Sequence, residues 1–309
     1  MLLPTLLLIV SIAILFYGAE FSLESSEKIG NKLGMSPLMV GMLLVGFGTS
    51  LPEFFVGHIA GIQGKAEIAI GSLVGSNIAN MFLILGVSGM LVKMPLSDKS
   101  LRDQLLLHLL LGFVLMFVLT RAQLNVFTAS PLILLCGVYL YMLYWDFKKD
   151  TTNYQQADQD FRPALVLIKL FGGFGMLYLG GELLVKSATD ICSTLGISEY
   201  IVSAIFIAFG TSFPELVTSI LAAHKKKDSN LIVGNIIGSN LFNCAFILGS
   251  LGIYEFKLGS ASVVELLSLI LGAFALVTLS LAGRKFHRKT ATLFLVCYFS
   301  LVGFWVKVF

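Results

Sequence analysis

A chain of 309 residues that is 57% apolar, only 13% charged and +3 overall at neutral pH has too little polar surface for a soluble domain of this size. Its repeated runs of about 20 apolar residues suit helices that cross a bilayer, and the lack of period-two alternation excludes a closed barrel. No basic domain or nucleic-acid motif occurs, so nucleic acid is excluded as a partner.

Taken in chain order, the first 19 residues carry no charge before Glu20. They lack the basic flank of a signal peptide and are expected to form the first span. Hydrophobicity and breakers place ten spans at about 2–23, 36–62, 68–92, 101–119, 126–146, 164–187, 199–223, 231–255, 261–282 and 290–307. The expected fold is therefore an all-α polytopic membrane protein with ten transmembrane helices. The one sizeable hydrophilic connection, 147–163, is too short for a domain and reads as a linker. It separates a first five-helix unit, 1–146, from a second, 164–309. Cys136, Cys192, Cys244 and Cys297 have no metal-like spacing and read as small packing residues.

Lys and Arg concentrate in cytoplasmic connections. One alternate set holds Lys28, Lys32, Lys93, Lys99, Arg102, Lys148, Lys149, Arg162, Lys225, Lys226, Lys227, Arg284, Lys285, Arg288 and Lys289; the other holds only Lys65, Arg121, Lys186, Lys257 and Lys307. This asymmetry predicts both termini outside and the linker in the cytoplasm of an inner-membrane protein.

The hexapeptide GTSLPE at Gly48 to Glu53 returns as GTSFPE at Gly210 to Glu215, and GSLVGSNIANMFLILG from Gly71 returns as GNIIGSNLFNCAFILG from Gly234. YGAE ending at Glu20 likewise matches LGGE ending at Glu182. The order and offset are conserved between the copies, so the two halves are repeats. Five spans per half is an odd number, and the second repeat must enter the membrane inverted.

Within GTSLPE, Pro52 removes a backbone donor and disfavours a helical Leu51, which predicts a break in the span. Carbonyls freed at Gly48 and Thr49, hydroxyls and a carboxylate are hard oxygen ligands suited to Na⁺ or Ca²⁺. Ser72, Ser76 and Asn80 form a stripe at i, i+4 and i+8, as do Asn235, Ser239 and Asn243. Gly71, Gly75, Gly234 and Gly238 would let these helices approach their neighbours closely. Glu53 and Glu215 together would balance one divalent cation. Ser50 with Glu53 and Ser212 with Glu215 also fit a capping box, but a carboxylate at membrane depth is costly merely to close a helix end. The polar stripes alone could be interhelical glue. Glu20 and Glu182, near predicted span ends, suit snorkelling or packing against Lys186. His58, without a counterpart in the second repeat, reads as a satisfied core residue, and Lys225 to Lys227 as a topology signal.

The two GTS-x-PE copies, each followed by G-x-x-x-GSN-x-x-N, resemble the alpha repeats of the calcium/cation antiporter superfamily, specifically its bacterial and archaeal sodium/calcium exchangers. The resemblance implies that Glu53 and Glu215 coordinate both Ca²⁺ and Na⁺. It recruits Thr49, Ser50, Thr211 and Ser212 through carbonyls and hydroxyls, Ser76 and Ser239 as sodium ligands, and Asn80 and Asn243 at the centre. It also implies that the first and sixth spans slide across a core built from the repeats. Several exchangers carry Asp at the position of Asn243, so stoichiometry and K⁺ dependence are not carried over.

The expected activity is antiport, with Ca²⁺ leaving in exchange for Na⁺. No enzymatic chemistry or cofactor is expected, and no obligatory protein partner is evident besides the lipid bilayer. The alternative is the same fold coupled to H⁺. An intramembrane serine hydrolase using His58 would leave the repeated polar residues unexplained, and a cation channel would not show saturable exchange.

Overall fold

The computed structural model describes residues 2–150, 161–194, 212–258 and 263–308. A helix stands at every predicted span, the seventh being described only from residue 212. Among the described residues seven helices are long and apolar enough to cross a membrane, or eight if one bent pair is a single span.

Helix α1, Leu2–Leu33, does not stop near residue 23. Glu20, Glu24 and Glu27 recur at helical spacing on one face. Lys225 pairs with Glu20 and, at 3.4 Å, with Glu24, while Lys227 pairs with Glu27 at 2.5 Å. The helix thus outlasts its apolar run because its acidic turns have cationic partners. Lys186 is not the partner in these contacts, and Glu182 accepts a hydrogen bond from the Tyr178 hydroxyl at 2.7 Å. Lys225 and Lys227 therefore also have a structural role. The Glu20 carboxylate, by hydrogen bonding, raises the Lys225 ammonium above the usual lysine range.

The second span is broken into α2, Pro37–Thr49, and α3, Leu51–Ile62, bent by 42°. Ser36 caps α2, accepting from Met39 N at 3.4 Å, and Pro37 opens it without losing a helical bond. The break falls one residue before the predicted place: Ser50 (φ −83°, ψ 2°) leaves the helix, whereas Leu51 already begins α3. Pro52 then sits in the first turn, where a missing donor is tolerated. Helix α4, Ala66–Leu91, carries the first polar stripe. Strand β1, Met94–Pro95, precedes α5, Lys99–Leu119, which Asp98 caps by accepting from Leu101 N at 3.0 Å. Strand β2, Gln123–Leu124, leads into α6, Val126–Asp150.

In the second half, α7, Pro163–Thr194, matches α1 in length at 32 residues. Helix α8, Phe213–His224, follows Ser212 as α3 follows Ser50. Helix α9 runs Ser229–Tyr254 and ends in a 3₁₀ turn, Leu251–Tyr254. Strand β3, Phe256–Lys257, helix α10, Val263–Leu281, strand β4, Lys285–Phe286, and helix α11, Arg288–Val308, complete the chain.

Among the described residues three π-helical turns interrupt the helices, at Val40–Val45 in α2, Ala79–Ile84 in α4 and Phe242–Leu248 in α9. In the first, Gly46 N donates to Gly41 O, five residues back. The Tyr139 hydroxyl of α6 reaches the Met42 carbonyl in the same turn at 3.2 Å. Such turns commonly mark functional positions.

Small residues fix the packing. A Cβ on Gly238 of α9 would lie 2.6 Å from Met42 O, and one on Gly46 of α2 would lie 2.9 Å from Ser239 N. Helices α2 and α9 therefore meet backbone to backbone, as expected of Gly234 and Gly238. Gly71, expected to do likewise, faces open space because it stands on an exposed turn of α4. Helices α1 and α7 form a second close pair: a Cβ on Gly18 would meet Leu177 N at 2.9 Å, and one on Gly173 would meet Ser22 N at 2.8 Å. Large apolar residues such as Ile9, Phe113, Leu134, Phe171 and Leu271 face outward, as a lipid-facing surface requires.

Two short ribbons join the halves. β1 pairs antiparallel with β4, Met94 opposite Phe286, and β2 pairs antiparallel with β3, Gln123 opposite Lys257. Each ribbon joins two connections that the Lys and Arg distribution puts on the same side of the membrane.

Candidate cation site

The break at Ser50 and the start of α8 after Ser212 bring the repeated motifs together. Glu53 opens α3 and Glu215 opens α8, each in the first turn, and both are 0% exposed. Neither Ser50 nor Ser212 makes a side-chain capping bond, so the capping box does not form in either copy. The two carboxylates are close enough to repel each other. Two buried like charges of this kind are costly without a cation between or beside them.

Neutral oxygens surround them. Thr49 Oγ1 donates to Val45 O at 3.0 Å, and Ser239 Oγ donates to Gly46 O at 3.1 Å. The two hydroxyl oxygens also lie 3.3 Å from each other, where either could donate, and each retains acceptor lone pairs. Asn235 Oδ1 lies 3.4 Å from Thr49 Oγ1, its orientation set by Nδ2 donating to Thr218 Oγ1 at 3.2 Å and Ser219 Oγ at 3.3 Å. The Thr49 and Ser239 hydroxyls also neighbour the Glu215 carboxylate, whose oxygens complete no hydrogen bond of normal geometry.

Further buried groups are unsatisfied. Ser50 Oγ, Ser212 Oγ and both amide atoms of Asn80 and Asn243 have no hydrogen-bond partner. Buried polar groups are normally paired, and orphans of this kind call for water or an ion. Asn80 and Asn243 lie within two of the π turns, which re-aim these side chains relative to a regular stripe. Ser76 is buried in the α-helical part of α4. Thr211 lies outside the described residues. Ser72, at the start of the first stripe, is only half-buried.

Thr218, Ser219 and Asn235 belong to the polar network although the expected ligand set omits them. Thr218 and Ser219 follow Glu215 by about one helical turn, so the sequence signal was their spacing within α8. His58 is satisfied, as expected: its ring nitrogens lie 3.0 Å from the Tyr254 hydroxyl and 3.1 Å from the Ser250 hydroxyl. Cys136 and Cys244 are buried packing residues, Cys297 is half-buried, and the Cys192 side chain lies outside the description.

Paired repeats with a broken helix and buried oxygen groups at their interface define a secondary transporter for small cations. The family model "Sodium/calcium exchanger protein" matches residues 3–145 and 165–307, and the chain belongs to that family. It is accordingly a membrane cation antiporter and not an enzyme. Inner membrane protein YrbG of Escherichia coli is 34% identical over 81% of this chain and 79% of its own length. Sodium/calcium exchanger MaX1 of Methanosarcina acetivorans is 29% identical, with 81% of this chain and 82% of the relative covered. A solved structure of the sodium-calcium exchanger NCX_Mj, soaked with Na⁺ and Sr²⁺, superposes with a TM-score of 0.84 at 26% identity, covering 97% of this chain and 98% of that one.

Proposed function

We propose that the protein exports Ca²⁺ in exchange for Na⁺, both ions using one site formed by Thr49, Ser50, Glu53, Ser76, Asn80, Thr211, Ser212, Glu215, Ser239 and Asn243. The carrying observation is the pair of fully buried, mutually repelling carboxylates Glu53 and Glu215 amid oxygen acceptors. A divalent ion offsets both charges, and several Na⁺ would do so in its absence. Shared ligands then couple the fluxes, because one ion must leave before the other binds. The exchange activity in the names of MaX1 and NCX_Mj supports the same ion pair.

In this reading the units are 1–146 and 164–309, joined by a cytoplasmic linker, 147–163, with both termini outside an inner membrane. Helices α1 and α7 are the sliding elements. They pack on each other through Gly18 and Gly173, and the α7 Phe174 ring presses on Gly48 at the edge of the broken helix. Moving that pair would uncover the ions while the α2–α9 interface stays intact.

The test is Ca²⁺ uptake into proteoliposomes under an imposed Na⁺ gradient or, separately, a pH gradient. Uptake driven by outward Na⁺ alone supports the reading. Uptake driven by the pH gradient and indifferent to Na⁺ replaces it with proton coupling.

A further inference from the structure

Helix α5 packs on α10, α6 and α9 and supplies none of the proposed ligands. Ser100, Gln104 and His108 recur on it every fourth residue and so form one stripe, with about 6 Å of rise between successive members. Gln104 is 0% exposed, and neither of its amide atoms has a hydrogen-bond partner. His108 is 4% exposed, and its Nδ1 has none. At the inner end His108 and Asn77 share a cavity of about 10 Å³, otherwise walled by Leu111, Gly112, Leu115 and Leu269. Asn77 Oδ1 is also unpartnered, while its Nδ2 donates to the Asn240 carbonyl at 3.1 Å and the Cys244 sulfur at 2.7 Å. At the outer end Ser100 donates to Asp146 within a surface pocket of about 230 Å³ that also holds Asp98, Asp103, Lys99 and Lys149.

An amide buried without any partner is costly, and water is the usual remedy where a polar cavity has room for it. A 10 Å³ cavity admits about one water, whereas a hydrated Na⁺ or Ca²⁺ needs several times that space. At its His108 end the stripe therefore has room for a water but not for a hydrated metal ion.

We propose that the Ser100–Gln104–His108 stripe of α5 is a file one water wide that carries water and protons, but not metal ions, from the surface pocket to Asn77. Only the destination, next to Ser76 in the chain and about one helical turn before Asn80, rests on the cation-site reading. Neutral His108 accepts a proton at one ring nitrogen and releases one from the other, so the ring ends neutral in its second tautomer. The titratable groups along the way are His108 itself, Cys244 of α9 beyond Asn77, and at the mouth Asp98, Lys99 and Asp103 of the α5 start with Asp146 and Lys149 of α6. Helix α10 contributes only Leu269 to the cavity, and α4 only Asn77.

The test places single cysteines in a protein whose native cysteines are replaced by Ala and which still exchanges Ca²⁺ in proteoliposomes. A small water-soluble methanethiosulfonate should modify Gln104→Cys and Ser100→Cys, and should leave Leu105→Cys, one residue away and fully buried, unmodified. In the otherwise native protein, Gln104→Leu and His108→Leu should retain exchange at fixed pH and lose its response to pH on the pocket side. An unmodified Gln104→Cys beside a modified Ser100→Cys overturns the file, as does a native pH response in both Leu variants. A wrong cation-site reading would show itself separately, as exchange surviving Glu53→Gln with the labelling pattern unchanged.

Discussion

The Thr49 and Ser239 hydroxyl oxygens, from opposite repeats, stand 3.3 Å apart, within hydrogen-bond reach of each other. Each also reaches a carbonyl of α2, Val45 O from Thr49 and Gly46 O from Ser239, and both lie beside the Glu215 carboxylate. A hydroxyl has one proton and two lone pairs, so each keeps acceptor capacity whichever partner takes its proton. That capacity is what a cation beside Glu215 would use.

Glu53→Gln and Glu215→Gln should each reduce Ca²⁺ exchange by about two orders of magnitude or more, since each removes one of the two buried carboxylate charges proposed to face the cation. The isosteric amide keeps the fold, so expression and thermal stability should stay near wild type. Radiolabelled Ca²⁺ uptake alongside a melting curve reads both, and near-native uptake in the two variants would move the site elsewhere.

Gly238→Ala should cost about 1–3 kcal/mol by overpacking, because its Cβ would press on the Met42 carbonyl, a backbone atom that cannot turn aside. The same push separates α2 from α9 and pulls Thr49 from Ser239, so transport should fall together with the melting temperature. Gly71→Ala, which adds its Cβ to open space, should leave both unchanged. Melting curves and uptake for the pair of variants decide this.

Spans and repeat were legible because hydropathy and a constant offset survive in the letters themselves. Glu53 and Glu215 stood out for the same reason: an acid in an apolar run is visible without coordinates. The π turns around Asn80 and Asn243 were not legible, since one extra residue in a helical turn leaves no change in hydropathy. Helix α1 was cut short because Glu20, Glu24 and Glu27 look like the end of a span until Lys225 and Lys227 are seen beside them. Gln104 and His108 did have a signal, two polar residues four apart in a leucine-rich run, but one copy without a counterpart attracts less notice than a repeated motif.

Asn243→Asp should make exchange more sensitive to pH and shift its cation dependence. A third carboxylate beside Glu53 and Glu215 cannot remain ionised without further cation or proton, and protons bound there belong to the cluster jointly. Asn240→Asp, roughly 60° further off the stripe, should act mainly through stability. Uptake profiles against pH and Na⁺, compared with wild type, test the contrast; an unchanged Asn243→Asp profile would place Asn243 away from the ions.

Cysteine at Gln156, in the linker outside the described residues, should resist an impermeant maleimide in intact cells and react after permeabilisation. The charge asymmetry predicts a cytoplasmic position for this segment. Reaction from outside would invert the topology.

Lys225→Gln and Lys227→Gln should lower the salt sensitivity of exchange with little effect on melting, because the pairs are partly exposed. Raised by Glu20, the Lys225 ammonium keeps its ion pair through the ordinary lysine range, and the pair is lost only as pH rises through the higher value. Exchange at low and high ionic strength in the variants measures the contribution of these contacts to the position of α1.

The two ribbons have a consequence for how such a chain could have arisen. β1 and β3 occupy equivalent places in the two repeats, as do β2 and β4, yet each pairs with the other's counterpart. A single half would therefore expose two unmatched strand edges, one at each membrane face, and a second copy inserted upside down would close both at once. Each half of the chain thus clasps the other at both ends, as two antiparallel copies of one protomer would.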